Sequence, residues 1–264
     1  VRLSLRFQAV SILAAIFFVL PRYAFAWGKE GHAIVAEVAM HYLSEPAKTR
    51  VQEILRKISP ADAGNWMDDV RSNDYYNYMR HWHYLDIPKD SVYKPGQGDN
   101  LIAALNTAYN DLKKGHPDKE HKQEDVLILF HLIGDMHQPL HTGYPDDKGG
   151  NTVELSFRGG GATNLHHLWD TELIQENNIT LDTVLALANT LTDEQVKAYR
   201  KGNFLSWMYD SRSHLPQVYD FTGTKVEDAY IRGNKDLVAH QLLIGGIRLA
   251  WVLETLFGSG AHPQ

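Results

Sequence analysis

Two histidine–aspartate pairs, each four residues apart and each set among apolar neighbours, limit the folds open to this chain more than any other feature. The string EDVLILFHLIGDMHQPLH carries His131 and Asp135, and NLHHLWD carries His166 and Asp170. An i, i+4 spacing puts both members of a pair on one face of a helix. The run from Val126 to Ile133 is almost uniformly apolar, and a helix apolar on all sides belongs in a core. Burying an imidazole and a carboxylate there is costly unless something pairs them. One such pair taken alone also has a lesser reading as a satisfied core contact. Its recurrence in a second segment weakens that bland reading.

Side chains of the same chemistry recur in short strings: His141 after Pro139, His83 and Asp86 in HWHYLDIP, Asp68 in NWMDDVR, and His32 near the start of the first helical pattern. Histidine is abundant, at 14 residues, and cysteine is absent. Without thiols there are no disulfides, no Cys-ligated zinc, no iron–sulfur cluster and no thiol nucleophile. Imidazole nitrogen with carboxylate oxygen suits zinc, or less specifically manganese or iron, and the lack of thiolate points to a catalytic rather than a structural site. More donors are present than one tetrahedral ion uses, which predicts a multinuclear centre.

The scaffold for these groups reads as all-α. Apolar residues recur at helical spacing at Ile34, Val35, Val38 and Tyr42; at Val51, Ile54, Leu55 and Ile58; at Leu101, Leu105, Ala108 and Leu112; and at Leu181, Val184, Leu185 and Ala188. Ser44, before Glu45 and Pro46, reads as an N-cap, and Thr192 with Gln195 as a capping box. Leu242 to Phe257 is a second nearly all-apolar run, so it and the first are expected as the central helices. Only Asn151 to Arg158 (NTVELSFR) argues for strand, between DDKGG and GGGAT, and predicts one short hairpin. No repeat, linker or composition shift divides the chain, so a single domain is expected.

Residues 1–26 read as a cleavable secretory leader: Arg2 and Arg6, an apolar stretch from Ala9 to Leu20, then Ala24-Phe25-Ala26 with small outer residues. Cleavage is expected between Ala26 and Trp27, leaving a domain of residues 27–264 that is secreted or periplasmic. No later segment is expected to span a membrane. The formal net charge is −6, and loss of Arg2, Arg6 and Arg22 with the leader makes the remainder more acidic. Polyanion binding normally needs a basic surface. A phosphate-handling function would therefore need positive charge supplied locally, for instance by metal ions.

Taken in order, the strings resemble a known family. WGKEGH at residues 27–32, WMDD followed by Arg71, HYLD, HLIGDMHQPLH, GGN and NLHHLWD are similar to the motifs of the secreted zinc-dependent single-strand nucleases and 3′-nucleotidases. They keep that family's order from residue 27 to residue 170, with RLAW near the C-terminus also similar. The combination is specific where each string alone is weak.

The resemblance implies a single helical domain of the phospholipase C and single-strand nuclease type, holding three zinc ions in a cleft. One ion would be held by Asp68, His83, His131 and Asp135. A second would be held by the free α-amino group and carbonyl oxygen of Trp27, with His32 and a bridging Asp135. His141, His166 and Asp170 would hold the third. An α-amine, with pKa about 8, yields its proton to a metal more readily than a lysine does. Zinc-activated water would attack phosphorus in line to leave 5′-phosphate products, with Asp68 orienting or deprotonating the water and Arg71 binding phosphoryl oxygens. Tyr84 would stack on a base and Asp86 would accept from its edge, so single-stranded DNA, RNA and 3′-nucleotides are the implied substrates. A monomer without stable membrane association is expected.

Two other readings stay open. Bacterial zinc phospholipase C shares the helical trizinc architecture but resembles a pattern with Glu in the last ligand position and a wider gap after its N-terminal Trp; here those features are Asp170 and His32. A non-catalytic zinc-binding protein is the other, against which Arg71 beside an ordered ligand set argues. The chain also departs from the fungal relatives, which carry disulfides, and GGGAT lacks an aromatic that some of them have nearby, for which Tyr144 is a candidate substitute. Asn178-Ile179-Thr180 is a glycosylation sequon in which Thr180 also suits an N-cap. His81, His137 and His167 match no ligand position and read as supporting or surface groups. His41, His116, His121, His214, His240 and His262 read as surface or cap residues. Trp66, Trp82, Trp169, Trp207 and Trp251 read as packing residues.

Overall fold

The computed structural model describes residues 27–96, 98–115, 118–157 and 161–259, so the expected leader, His116 and His262 lie outside the described residues. In chain order the elements are α1 (Lys29–Tyr42), α2 (Glu45–Leu55), α3 (Pro60–Asp69), α4 (Leu101–Lys114), α5 (Lys119–Met136), the strands β1 (Glu154–Phe157) and β2 (Gly161–Asn164), α6 (Leu165–His167) and α7 (Leu173–Glu176). There follow α8 (Leu181–Ala188), α9 (Asp193–Arg200), α10 (Phe204–Arg212), α11 (Leu215–Val218), α12 (Asp228–Gly233) and α13 (Lys235–Phe257). The expected mainly helical fold with one hairpin is therefore what forms.

Local chemistry sets the helix boundaries. The Ser44 hydroxyl accepts from the Ala47 amide at 3.4 Å, Ser59 accepts from Asp62 at 3.1 Å, and both helices place proline in the first turn. Thr192 and Gln195 form the expected capping box, and Thr180 caps α8 with Thr183. These side chains satisfy amides that have no partner inside the helix. Gly115 ends α4 in a left-handed conformation, φ 79°, which glycine adopts without strain.

Packing follows the apolar pattern. Every residue of α5 from Val126 to Met136 is buried, and α13 packs closely on α1. At that crossing a β-carbon on Gly246 would collide with Val38, so a glycine lets the two backbones approach. Burial of each large aliphatic side chain in this core contributes roughly 1.5–3 kcal/mol. The second apolar run lies within α13, but only its first part is buried throughout: Trp251 is 40% exposed, with the Arg200 guanidinium 5.9 Å from its ring centre. Contrary to the sequence expectation, the stretch Asp228–Phe257 is long and apolar enough to cross a membrane by length and composition; 78% of its apolar window is buried among the other helices, as for a core helix.

The hairpin differs from expectation in extent. Glu154 pairs with Asn164 and Leu155 with Thr163, so the glycine-containing GATN forms the second strand, beyond the stretch Asn151 to Arg158 that alone argued for one. Asn151–Val153 do not join the first strand, because Thr152 and Val153 donate back to the Asp147 and Gly150 carbonyls. Those bonds close a tight loop that proves important for the site.

Candidate metal centre

Helix α5 presents His131 and Asp135 on one face, as the spacing requires, and α1 brings His32 against them. The His32 and His131 rings stack with centroids 4.0 Å apart. Asp135 is fully buried and divides its oxygens: Oδ1 lies 3.2 Å from His32 Nε2, while Oδ2 lies 3.1 Å from His83 Nδ1 and 3.3 Å from His131 Nε2. His83 arrives from the irregular segment after α3, and Asp68 from the end of α3 itself. The ligating atoms of His32, His131 and Asp135 lie within 4.8 Å of one another, as do those of Asp68, His83 and His131.

A second group forms where the chain turns after α5. His141, His166 and Asp170 meet, with His166 Nε2 3.5 Å and His141 Nε2 3.8 Å from the Asp170 carboxylate. The His166–Asp170 turn is not regular α-helix. Residues Leu168–Glu172 form a π turn, in which the Leu173 amide reaches back to the Leu168 carbonyl. Such one-turn π segments are frequent at functional sites. The Gly28 amide donates to the Asp170 carbonyl at 2.7 Å, which ties the backbone beside the buried Trp27 to this group.

Hydrogen bonds fix the imidazoles. His141 Nδ1 donates to the His83 carbonyl at 2.6 Å, and His166 Nδ1 donates to the Gly149 carbonyl at 2.6 Å. Each ring therefore leaves Nε2 without a proton in its neutral form, yet these two nitrogens face each other at 3.1 Å beside a carboxylate. A proton or a metal ion between them relieves that opposition, and the Asp170 carboxylate beside them completes a donor set of metal-ligand type. His131 is held likewise, Nδ1 to the Gly64 carbonyl at 2.7 Å. Both nitrogens of His32, with Asp68 Oδ1, Asp135 Oδ1 and Asp170 Oδ2, are buried without a hydrogen-bond partner. Orphaned nitrogen and oxygen donors of this kind fit zinc coordination.

Electrostatics separates the two carboxylates. Burial disfavours the charged form of both, but His131 and His141 hold Asp135 well below the usual carboxylate range, whereas burial leaves Asp170 well above it. Burial lowers His32 to about 4 and also lowers His83 and His166. At His131 burial is outweighed by Asp135, Asp68 and the Gly64 carbonyl, which together raise it to about 9. Neutral imidazoles are the form that ligates metal.

A cleft of about 450 Å³ opens beside these groups, lined by Arg71, His83, Tyr84, Asp86, His141, Lys148 and Asn151 among others. Arg71 Nη1 lies 4.0 Å from Asp68 Oδ1. Tyr84 is 40% exposed, its hydroxyl 3.0 Å from His81 Nδ1. Asp86 Oδ1 is buried without a hydrogen-bond partner, and burial pushes this carboxyl up to about 6. A larger concavity of about 880 Å³ between α2 and the end of α13 holds none of the candidate residues. The structure thus brings together all the candidate side chains around one region, with Trp27 buried at its edge.

Several residues that matter here carried no sequence signal. Gln138 donates to Asp170 Oδ1 at 2.6 Å while its own Oε1 accepts from Leu140. Arg212 binds the carbonyls of Thr142, Gly143 and Ile87, fastening the His141 turn to the Asp86 segment. Tyr144 does not line the cleft; it packs against Arg212 and Tyr219. His137 is a buried supporting group, bonded to the Ile133 carbonyl and Arg248 and lowered to about 3 by burial and then by that arginine. His240 is also no plain surface residue, since it is half-buried and bonds the Tyr199 hydroxyl at 2.9 Å.

Comparison with known proteins bears on this constellation. The family model described as S1/P1 Nuclease matches residues 27–258. The chain is similar to Endonuclease 2 of Arabidopsis thaliana, 28% identical over 270 residues that cover 88% of this chain and 91% of that protein. It is 32% identical to Nuclease PA3 of a Penicillium species over 271 residues, covering 88% of this chain and 98% of the relative. Nuclease S1 of Aspergillus oryzae is 26% identical over 195 residues, 69% of this chain and 67% of that protein.

Proposed function

The chain belongs to the S1/P1 nuclease family, and from that premise we propose that it is a secreted, zinc-dependent endonuclease. Its substrates are single-stranded DNA and RNA, its products carry 5′-phosphates, and it also removes the phosphate of 3′-nucleotides. The observation that carries this reading is the pair of Nε2 atoms of His141 and His166 facing each other at 3.1 Å beside Asp170, while each ring's Nδ1 is engaged by a backbone carbonyl. A storage site would explain a cation there, but not the adjoining cleft with Arg71, Tyr84 and Asp86 in its walls.

Asp68, His83, His131 and Asp135 would hold one ion. His32 and Asp135, with the α-amine of Trp27 freed by cleavage after Ala26, would hold another. His141, His166 and Asp170 would hold the third. The chemistry such ions supply when bound is Lewis acidity, which activates water at neutral pH and neutralises negative charge building on oxygen.

The remaining work falls to this chain's side chains. Asp68, with a buried and unpartnered Oδ1, orients the water and takes its proton. Arg71 places its guanidinium against phosphoryl oxygens as their charge grows. The exposed face of Tyr84 stacks on a base, and Asp86 accepts from the base edge. Stacking of this kind needs an unpaired base, which is the physical reason for single-strand preference. Gln138 and the Gly64, His83 and Gly149 carbonyls keep the buried ligands in register.

The test uses protein beginning at Trp27 on single-stranded DNA, duplex DNA, single-stranded RNA, a 3′-mononucleotide and a choline phospholipid. Expected is cleavage of the single strands and the 3′-nucleotide, lost on chelation and restored by zinc. Phospholipid hydrolysis without nucleic-acid cleavage would assign the site to a phospholipase instead. Equal rates on duplex and single strand would remove the role given to Tyr84.

A further inference from the structure

The nuclease reading assigns Arg71 to the scissile phosphate and leaves a second cation in the cleft without a task. Lys148 lines the same cleft, yet no acid lies within ion-pair distance of it among the described residues. Its neighbour Asp147 is turned inward, with Oδ1 accepting from the Gly150 amide at 2.9 Å and Oδ2 from the Tyr219 hydroxyl at 2.7 Å.

The backbone at Lys148 is held in an unusual conformation. It is left-handed, φ 54° and ψ 49°, which non-glycine residues rarely adopt. The surrounding loop fixes it: the Lys148 amide donates to Pro145, the Gly149 amide donates to Tyr144, and the Asn151 side-chain amide donates to the Lys148 carbonyl at 2.9 Å. The lysine therefore leaves the loop from a determined point rather than from a frayed tip.

That point lies between the two halves of the site. Gly149, the next residue, orients His166 through its carbonyl at 2.6 Å. A β-carbon on Gly149 would lie 3.4 Å from Asp86 Oδ1, so the same backbone borders the place given to the base. A nucleotide with its base at Tyr84 and Asp86 and its 3′-oxygen at the metal groups has one further charged group, the 5′-phosphate. We propose that Lys148 is the subsite for that non-scissile 5′-phosphate, so that the enzyme discriminates an internal nucleotide from one lacking a 5′-phosphate. This rests on the nuclease reading and adds a ligand group to it. The reaction itself is unchanged: water adds at phosphorus, the P–O3′ bond breaks, and O3′ leaves as the hydroxyl.

The test compares kcat/KM for a nucleoside 3′-monophosphate and the corresponding 3′,5′-bisphosphate, in wild type, Lys148→Met and Lys148→Arg. Wild type is expected to prefer the bisphosphate about 5-fold, as for one charge-assisted contact to phosphate. Lys148→Met abolishes that ratio whatever its absolute rates, and Lys148→Arg retains it. On single-stranded DNA the salt dependence of kcat/KM also becomes shallower in Lys148→Met, by about 0.7 in logarithmic slope. Survival of the ratio in Lys148→Met overturns the subsite, and so does a wild type that hydrolyses the monophosphate with no preference. Failure on both compounds overturns the subsite, and failure on single-stranded DNA as well overturns the nuclease reading with it.

Discussion

Gly134→Ala should damage the metal centre although it alters no ligand. Gly134 precedes Asp135 in α5, where alanine is intrinsically favoured by about 1 kcal/mol. Its new β-carbon would lie 2.8 Å from His32 Nδ1 and 3.1 Å from Cε1, which is at least about 0.5 Å too close. His32 has little room to yield, being fully buried and stacked on His131 at 4.0 Å. Overpacking of this kind costs about 1–3 kcal/mol, so with helix propensity offset the packing loss is roughly 0–2 kcal/mol. Metal–ligand distances tolerate only about 0.2 Å. A ring displaced by more should weaken zinc binding about 10–100-fold, comparable with loss of an orienting partner, or about 1.4–2.8 kcal/mol. The assay is thermal unfolding of wild type and variant, in zinc and in chelator, with zinc content on both. The gap in Tm should be wider in zinc than in chelator by about 3–11 °C for a domain of this size. An equal gap under both conditions, or full zinc retention by the variant, would refute the reasoning.

Other perturbations test separate parts of the account. Burial, then Asp111 and Glu124, raises the Asp125 carboxyl to about 7; a raised acid contributes stability below its unfolded pKa of about 4 and loses it as pH climbs through 7. Asp125→Asn should therefore flatten the decline in Tm between pH 5 and 8, and an unaltered profile would show that this carboxyl is not perturbed. Arg248, 5% exposed, binds His137, the Tyr199 carbonyl and Asp210. Asp210 is 61% exposed, so Arg248→Met strands chiefly the Tyr199 carbonyl and His137 and should cost about 1–3 kcal/mol, read as a Tm lower by about 2–12 °C; an unchanged Tm would contradict it. Tyr84→Ala should raise KM for single-stranded substrate by roughly 5–150-fold from lost stacking, while Tyr84→Phe stays near wild type. Equal effects of the two would assign the role to the hydroxyl.

Much of the centre was legible because two of its pairs follow helical periodicity. His131 and Asp135 announce themselves by sitting in a run that must be buried, and His166 and Asp170 by repeating the spacing, although the turn between the latter is π rather than α. Asp68, at the end of α3, and His83, in the irregular segment after it, share no period with α5; their residue types made them candidates, and only resemblance to a family grouped them with His131 and Asp135. Gln138, Arg212 and Lys148 stayed silent for a different reason. Each acts through long-range bonds or a loop conformation, and neither leaves a pattern in local sequence. The hairpin was misplaced by the same limit. Alternation suggested a strand from Asn151, but the amides that would have paired are taken by the Asp147 and Gly150 carbonyls.

Zinc content per chain, measured together with single-strand cleavage on protein beginning at Trp27, tests the central claim most directly. The account predicts about three zinc ions per chain, about one fewer in Asp170→Asn and about two fewer in Asp135→Asn, whose wild-type carboxylate faces His32 with one oxygen and His83 with the other. Cleavage should fall with the metal. Undiminished cleavage of single-stranded DNA by fully zinc-free protein would contradict it.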